Sequence, residues 1–119
     1  MFIHFCQVRK ILPVIQQLDL KELSKWEGTN TQSLGSLIVD FFAYFAEFNW
    51  QENVISVRLG SAVTKGFPSF KSKTFKKGFC IEEPFDGSNT AYAVRGYKMV
   101  RIESTLKHCA KVCSYNCQS

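Results

Sequence analysis

The sequence predicts a mainly α fold that also holds a small antiparallel β-hairpin, an α+β domain. Three observations carry this expectation. Leu34, Leu37, Ile38, Phe41, Phe42, Phe45 and Phe48 recur at helical spacing through residues 33–48, which marks a helix with one apolar face. Residues 97–115 repeat the rhythm, with Val100, Leu106, Cys109, Ala110 and Cys113 inward and Lys98, Arg101, Lys107 and Lys111 outward. Residues 53–59 set Val54, Ser56 and Arg58 against Ile55, Val57 and Leu59, the alternating β-branched pattern of a strand. Its natural hairpin partner is residues 79–81.

The remaining elements follow in order. Phe2, Ile3, Phe5 and Cys6 read as the last turns of a buried helix, with His4 as a core or edge histidine. Residues 11–18 suggest a second short helix with Pro13 in its first turn, where a missing N–H is harmless, and with Leu12, Ile15 and Leu18 inward. Residues 19–32 are polar and end in Gly28-Thr29-Asn30-Thr31, which reads as a connecting loop. Residues 60–78 form a basic excursion between the two hairpin strands. It carries Lys65, Lys71, Lys73, Lys76 and Lys77 and no acid, and Pro68 marks it as an extended, exposed arm. Lysines interleaved with Phe67, Phe70 and Phe75 suit contact with single-stranded nucleic acid. A solvated loop that keeps the protein soluble explains them equally well.

Length and composition bound the function classes. A chain of 119 residues is one domain or a piece of one, and 45% hydrophobic content supports a packed core. The net charge of +5 favours an anionic partner. No apolar run approaches the roughly 20 residues that span a bilayer, so no membrane association is expected. The first ten residues lack the order of a signal peptide, which points to the cytoplasm, with the nucleus as the alternative, and to reduced cysteines. There are five cysteines and no C-x-x-C pair. Cys109, Cys113 and Cys117 recur every four residues and read as small buried hydrophobes, so no metal site is expected.

Residues 79–94, FCIEEPFDGSNTAYAV, carry the most functional information. An apolar start turns at Pro84 into the carboxylates Glu82, Glu83 and Asp86, then into Gly87, Ser88 and Asn89, with a short helix expected at 90–94. A rigid acidic corner of this kind can line a ligand pocket or be an ordinary solvated turn.

Four pieces in sequence settle that choice: MFIHFCQ with ILPVIQQL; SLGSLIVDFFAYFAEFNWQENVISVRLG; FCIEEPFDGSNTAYAV; and the last amphipathic helix. Together they resemble the PAP-associated region of the noncanonical poly(A) and poly(U) RNA polymerases, nearest to the cytoplasmic poly(A) polymerases of the germ-line-development type. The resemblance implies a single partial helical domain over residues 1–119, incomplete at its N-terminus. It implies an RNA 3′-end nucleotidyltransferase that uses ATP, works on mRNA with an RNA-binding adaptor protein, and holds Mg²⁺ or Mn²⁺ on a separate palm domain. Asp19, Asp40 and Asp86 are the only aspartates and form no Asp-x-Asp pair, so no catalytic residue is expected in this chain and it should be inactive alone. Glu83, Phe85, Asp86, Ser88 and Asn89 match the family's base-recognition loop. There Glu83 and Asp86 accept hydrogen bonds from the base or from water and orient the loop, and Phe85 anchors it from beneath. Ser88 stands where uridylyl-transferring relatives often carry His, in a loop one residue shorter, which implies ATP over UTP. A noncatalytic RNA- or protein-binding module derived from such an enzyme is the alternative, with Lys65, Lys71, Lys73, Lys76 and Lys77 as its RNA contacts.

Overall fold

The computed structural model describes residues 1–68, 70 and 73–117. Among the described residues there are four helices, α1 (Phe2–Val8), α2 (Leu20–Lys25), α3 (Leu34–Glu47) and α4 (Tyr97–Cys117), and three short strands, β1 (Asn53–Ser56), β2 (Ser61–Thr64) and β3 (Ile81–Glu82). The fold is α+β, as the sequence predicts.

The hairpin is present, but its second strand is not residues 79–81. The sheet order is β2-β1-β3, with β2 antiparallel to β1 and β3 parallel to it. Ser56 explains the early reversal. Its hydroxyl accepts the Leu59 N–H at 3.1 Å and its carbonyl accepts the Gly60 N–H at 2.9 Å, closing a turn with Gly60 at φ +73°. A turn of four residues closes at far lower entropic cost than a loop of about twenty, so the nearer segment takes the antiparallel edge. Residues 79–81 reach the free edge by a crossover instead. The basic excursion is correspondingly not an open arm: β2 occupies its start and a 3-10 turn, Lys73–Phe75, its middle.

The core is aromatic. Phe5, Phe45, Trp50, Ile55, Phe79, Met99 and Leu106 are buried together, and the Trp50 and Phe79 rings stack at 3.9 Å with planes 8° apart. Ser33 caps α3 by accepting the Ser36 N–H at 3.2 Å, and the apolar stripe begins there. Only part of that stripe is interior: Leu34 is 75% exposed, while Phe41, Phe42 and Phe48 pack around Phe45. In α4 the buried row runs through Met99 and Leu106, one residue out of phase with the expected Val100, which is 64% exposed. Cys109 and Cys113 are half-buried, and the Cys117 side chain lies outside the described residues. A second cluster of Val54, Phe70, Phe75 and Cys80 packs on the other side of β1.

Three further expectations shift. Residues 11–18 form only the 3-10 turn Ile15–Gln17, with Ile15 exposed and Pro13 ahead of it. Within the expected loop 19–32, α2 forms because Asp19 accepts the Glu22 N–H at 2.7 Å and Glu22 accepts the Asp19 N–H at 3.0 Å, a reciprocal capping box. Residues 90–94 are successive turns (Tyr92 N–H to Asn89 carbonyl 3.3 Å, Val94 N–H to Ala91 carbonyl 2.8 Å) rather than a helix, since Gly96 leaves too few residues to nucleate one.

His4 is fully buried beside Tyr44, Phe45 and Phe48, its Nε2 2.7 Å from the Tyr44 hydroxyl. Burial, and then the positive N-terminus, lower its pKa from 6.5 to about 4. The unfolded chain therefore binds the proton first, and the stability that neutral His4 contributes is complete above pH 6.5 and lost as pH falls towards 4. Denaturant titrations across that window should show a loss on the order of 2 kcal/mol that is absent in His4→Gln. An equal slope in the variant would assign the acid sensitivity elsewhere.

Candidate functional site: the acidic loop at the end of the sheet

The loop over residues 82–89 is held by its own backbone and by two buried side chains at its ends. At its entry Glu82, 4% exposed, accepts the Ser56 hydroxyl at 2.9 Å and a two-pronged Arg58 contact at 3.1 and 3.2 Å. Parallel pairing sets Ser56 opposite Glu82, which brings the carboxylate to the serine. At its exit Asn89, buried, uses both halves of its amide. Oδ1 accepts the Ile81 and Ala91 N–H groups, each at 3.0 Å, while Nδ2 donates to the Thr74 and Phe79 carbonyls at 2.9 and 3.0 Å. An amide offers two donors and two acceptor positions, so the Asn89 side chain is saturated. It frames the loop and has no free group for a base.

Between these pins the loop closes on itself. The Glu83 N–H donates to the Ser88 carbonyl at 2.7 Å, and the Gly87 N–H to the Glu83 carbonyl at 3.0 Å. The Glu83 carboxylate accepts the Phe85 N–H at 2.9 Å and the Asp86 N–H at 2.5 Å. Asp86 accepts the Ser88 N–H at 2.8 Å. That N–H, followed by the Ser88 hydroxyl, holds the exposed Asp86 carboxyl below its ordinary pKa. Gly87 supplies the turn, with φ +74° and open space where a Cβ would stand. From outside, Gln16 Nε2 donates to the Pro84 carbonyl at 2.9 Å and ties the loop to the 3-10 turn.

The tip presents Phe85, Asp86 and Ser88 to solvent. Phe85 is not the anchor beneath the loop: it is 89% exposed and projects outward. Glu83 and Asp86 accept backbone N–H groups of the loop itself and so orient it. The three carboxylates do not converge. Glu82 faces Arg58, while Glu83 and Asp86 hold backbone N–H groups and also meet each other through their side chains, and among the described residues no three His, Cys, Asp or Glu side chains come together as a metal site. These residues do not fit a two-metal centre. Arg58 and Ser56, which build the loop's entry, escaped sequence reasoning; an Arg two residues beyond β1 and an acid at the end of β3 were the available signal.

The lysines divide. Lys65 Nζ donates to the Gly78 carbonyl at 2.9 Å and so ties β2 to the approach of β3. Gly78 itself, at φ +76°, passes so close to Val94 that a Cβ would collide with the Val94 carbonyl. Lys76 and Lys77 are exposed and line a depression of about 390 Å³ with Thr74, Tyr92 and Arg95. Lys71 and the Lys73 side chain lie outside the described residues. Phe70 and Phe75 are core, not stacking platforms, while Phe67 stays partly exposed.

Comparison with known proteins agrees with this architecture. Residues 33–89 match the sequence profile of the Cid1 family poly A polymerases, covering α3, the sheet and the loop through Asn89. The Xenopus laevis protein Poly(A) RNA polymerase GLD2-A is 35% identical over 125 residues, a match that covers 87% of this chain and 24% of that protein. A crystal structure of mtPAP in complex with ATPgammaS superposes with a TM-score of 0.71 at 26% identity, covering 91% of this chain and 26% of that one. The structure of the GLD-2/RNP-8 complex superposes with a TM-score of 0.59 at 25% identity, covering 95% and 39% respectively. The chain thus spans about a quarter of the length of the curated relative it matches.

Proposed function

We propose, from the membership of residues 33–89 in the Cid1 family of poly A polymerases, that this chain supplies base recognition in an RNA 3′-terminal nucleotidyltransferase. The observation that carries the reading is the framed loop: Glu82 and Asn89 fix both ends, and Asp86 and Ser88 are left exposed at the tip. A loop fixed in this way can discriminate, because a polar group in a set position accepts one base edge and rejects another. Ser88 selects, Asp86 and Glu83 orient, and Asn89 positions. The short Ser88 side chain leaves room for a purine, so ATP is favoured over UTP. Adenylates are added to mRNA 3′ ends with an RNA-binding adaptor protein, in the cytoplasm. The assembled GLD-2/RNP-8 neighbour supports the adaptor, and buried thiols such as Cys6 and Cys80 suit a reducing compartment. Mg²⁺ or Mn²⁺ supplies Lewis-acid chemistry on carboxylates outside this chain, which is inactive on its own.

The test joins the chain to the upstream region of its gene and measures nucleotide incorporation onto an oligonucleotide. ATP-dependent extension is expected, and no extension with ATP or UTP refutes the reading. Ser88→His should lower the ATP-to-UTP ratio about tenfold, or roughly 1.4 kcal/mol of discrimination. An unchanged ratio would remove Ser88 from base choice. Extension that fails while salt-sensitive RNA binding persists favours the noncatalytic RNA-binding alternative, for which Lys76 and Lys77 speak.

A further inference from the structure

We propose that a groove running from Lys76 and Lys77 across the 90–96 turn to Arg101 binds the phosphodiester backbone of single-stranded RNA, at a place separate from the base-recognition loop. Three depressions join to form it. The first, of about 390 Å³, shares Tyr92 and Arg95 with a second of about 350 Å³. The second shares Ala93, Tyr97 and Lys98 with a third of about 530 Å³ that reaches Arg101 and Thr105.

Five cations line this path: Lys76, Lys77, Arg95, Lys98 and Arg101. Among the described residues no aspartate or glutamate lines it. The five are a third of the fifteen Lys and Arg in the chain, gathered from two stretches, residues 76–77 and 95–101, onto one surface. Arg95 is held in place, its guanidinium 4.7 Å from the Tyr92 ring centroid and its Nη2 donating to the Tyr92 hydroxyl at 3.4 Å. Tyr92 and Tyr97 are large exposed aromatics at the centre of the path. Lys98 and Arg101, three residues apart on α4, point to one side of the helix.

A row of cations interrupted by exposed aromatic faces is what an unpaired strand requires. Phosphates take the cations, and unstacked bases lie on the rings. An acidic peptide would use the cations and leave the tyrosines unexplained. The inference rests on the RNA-directed reading above for its ligand, but not on base choice at Ser88.

Anisotropy titrations of labelled oligoadenylate and oligouridylate, without nucleoside triphosphate and across a salt series, test it. Lys98→Gln/Arg101→Gln should weaken binding about tenfold and flatten the plot of log affinity against log salt by about 0.7 for each phosphate contact removed. Arg95→Lys should keep the slope, and Tyr92→Leu/Tyr97→Leu should lower affinity while keeping it. Melting curves of each variant establish that the fold is retained, which is expected of exposed side chains. Unchanged affinity and slope in the cation variants would overturn the proposal, as would displacement of RNA by polyglutamate at equal charge concentration. Base choice is read independently by Ser88→His in the joined enzyme, so failure of either test leaves the other standing.

Discussion

Asn89→Ala is expected to lower the stability of the fold by about 3 kcal/mol and to unfasten the loop it closes. The amide holds four backbone groups at once: the N–H groups of Ile81 and Ala91 and the carbonyls of Thr74 and Phe79. Alanine would leave two N–H groups and two carbonyls to find new partners, and each buried group left unpaired costs about 1–3 kcal/mol. Water admitted to the gap recovers part of that. Urea denaturation gives the difference directly, with Ser88→Ala as the comparison: its exposed hydroxyl should matter by no more than about 0.5 kcal/mol. If both variants unfold at the same urea concentration, the amide does not fix the loop. In the joined enzyme, Asn89→Ala should also blunt the preference between ATP and UTP, because a positioning residue acts through the geometry of its neighbours.

Arg58→Ala should be destabilising by about 3 kcal/mol, through what it leaves behind rather than through the contacts it removes. Glu82 sits 4% exposed on β3, opposite Ser56 of β1, with Arg58 as its cation at 3.1 Å. Removing one partner of a buried ion pair strands the other charge, which costs about 3–5 kcal/mol, and the partial exposure of Arg58 places this case at the lower end. Removing both charges should cost far less. The double variant Arg58→Met/Glu82→Leu is therefore expected to be more stable than Arg58→Ala alone, losing chiefly the Ser56 hydroxyl bond. A double variant less stable than both single ones would mean that the pair contributes net stability of its own. Either result bears on the loop, since Glu82 is its first residue.

Local signals in the chain foretold α1, α3 and α4, and missed α2 and the strand pairings. The Phe-rich stripe of residues 33–48 marked α3 because helical periodicity is a property of neighbouring residues. The same stripe overstated burial at Leu34 and Ile38, since periodicity tells which face is apolar and not how far the neighbouring helix extends over it. The Asp19/Glu22 capping box was visible in the letters and lost among polar neighbours. The strand pattern at residues 53–59 was sound for Val54 and Ile55, but Ser56 turned its side chain on the following backbone and ended the strand early.

The candidate site divides along the same line. Glu83, Pro84, Phe85, Asp86, Gly87, Ser88 and Asn89 were legible as a turn because acids, amides and glycine act on backbone within three residues of themselves. The burial of Asn89, the outward direction of Phe85 and the pairing of Glu82 with Arg58 depend on what arrives from Thr74, Phe79 and β1. No local pattern encodes those meetings.

By itself the sequence determined an α+β domain with a Phe-rich helix, a short sheet and an acidic turn, because each arises from interactions along the chain. Tertiary structure alone decided that β3 joins β1 in parallel, that Lys65, Phe70 and Phe75 serve the fold, and that Lys76, Lys77, Arg95, Lys98 and Arg101 share one groove. The reason is physical. Strand pairing, burial and the joint field of distant charges are set by which surfaces remain once the core has closed, and residues far apart in the chain meet only then.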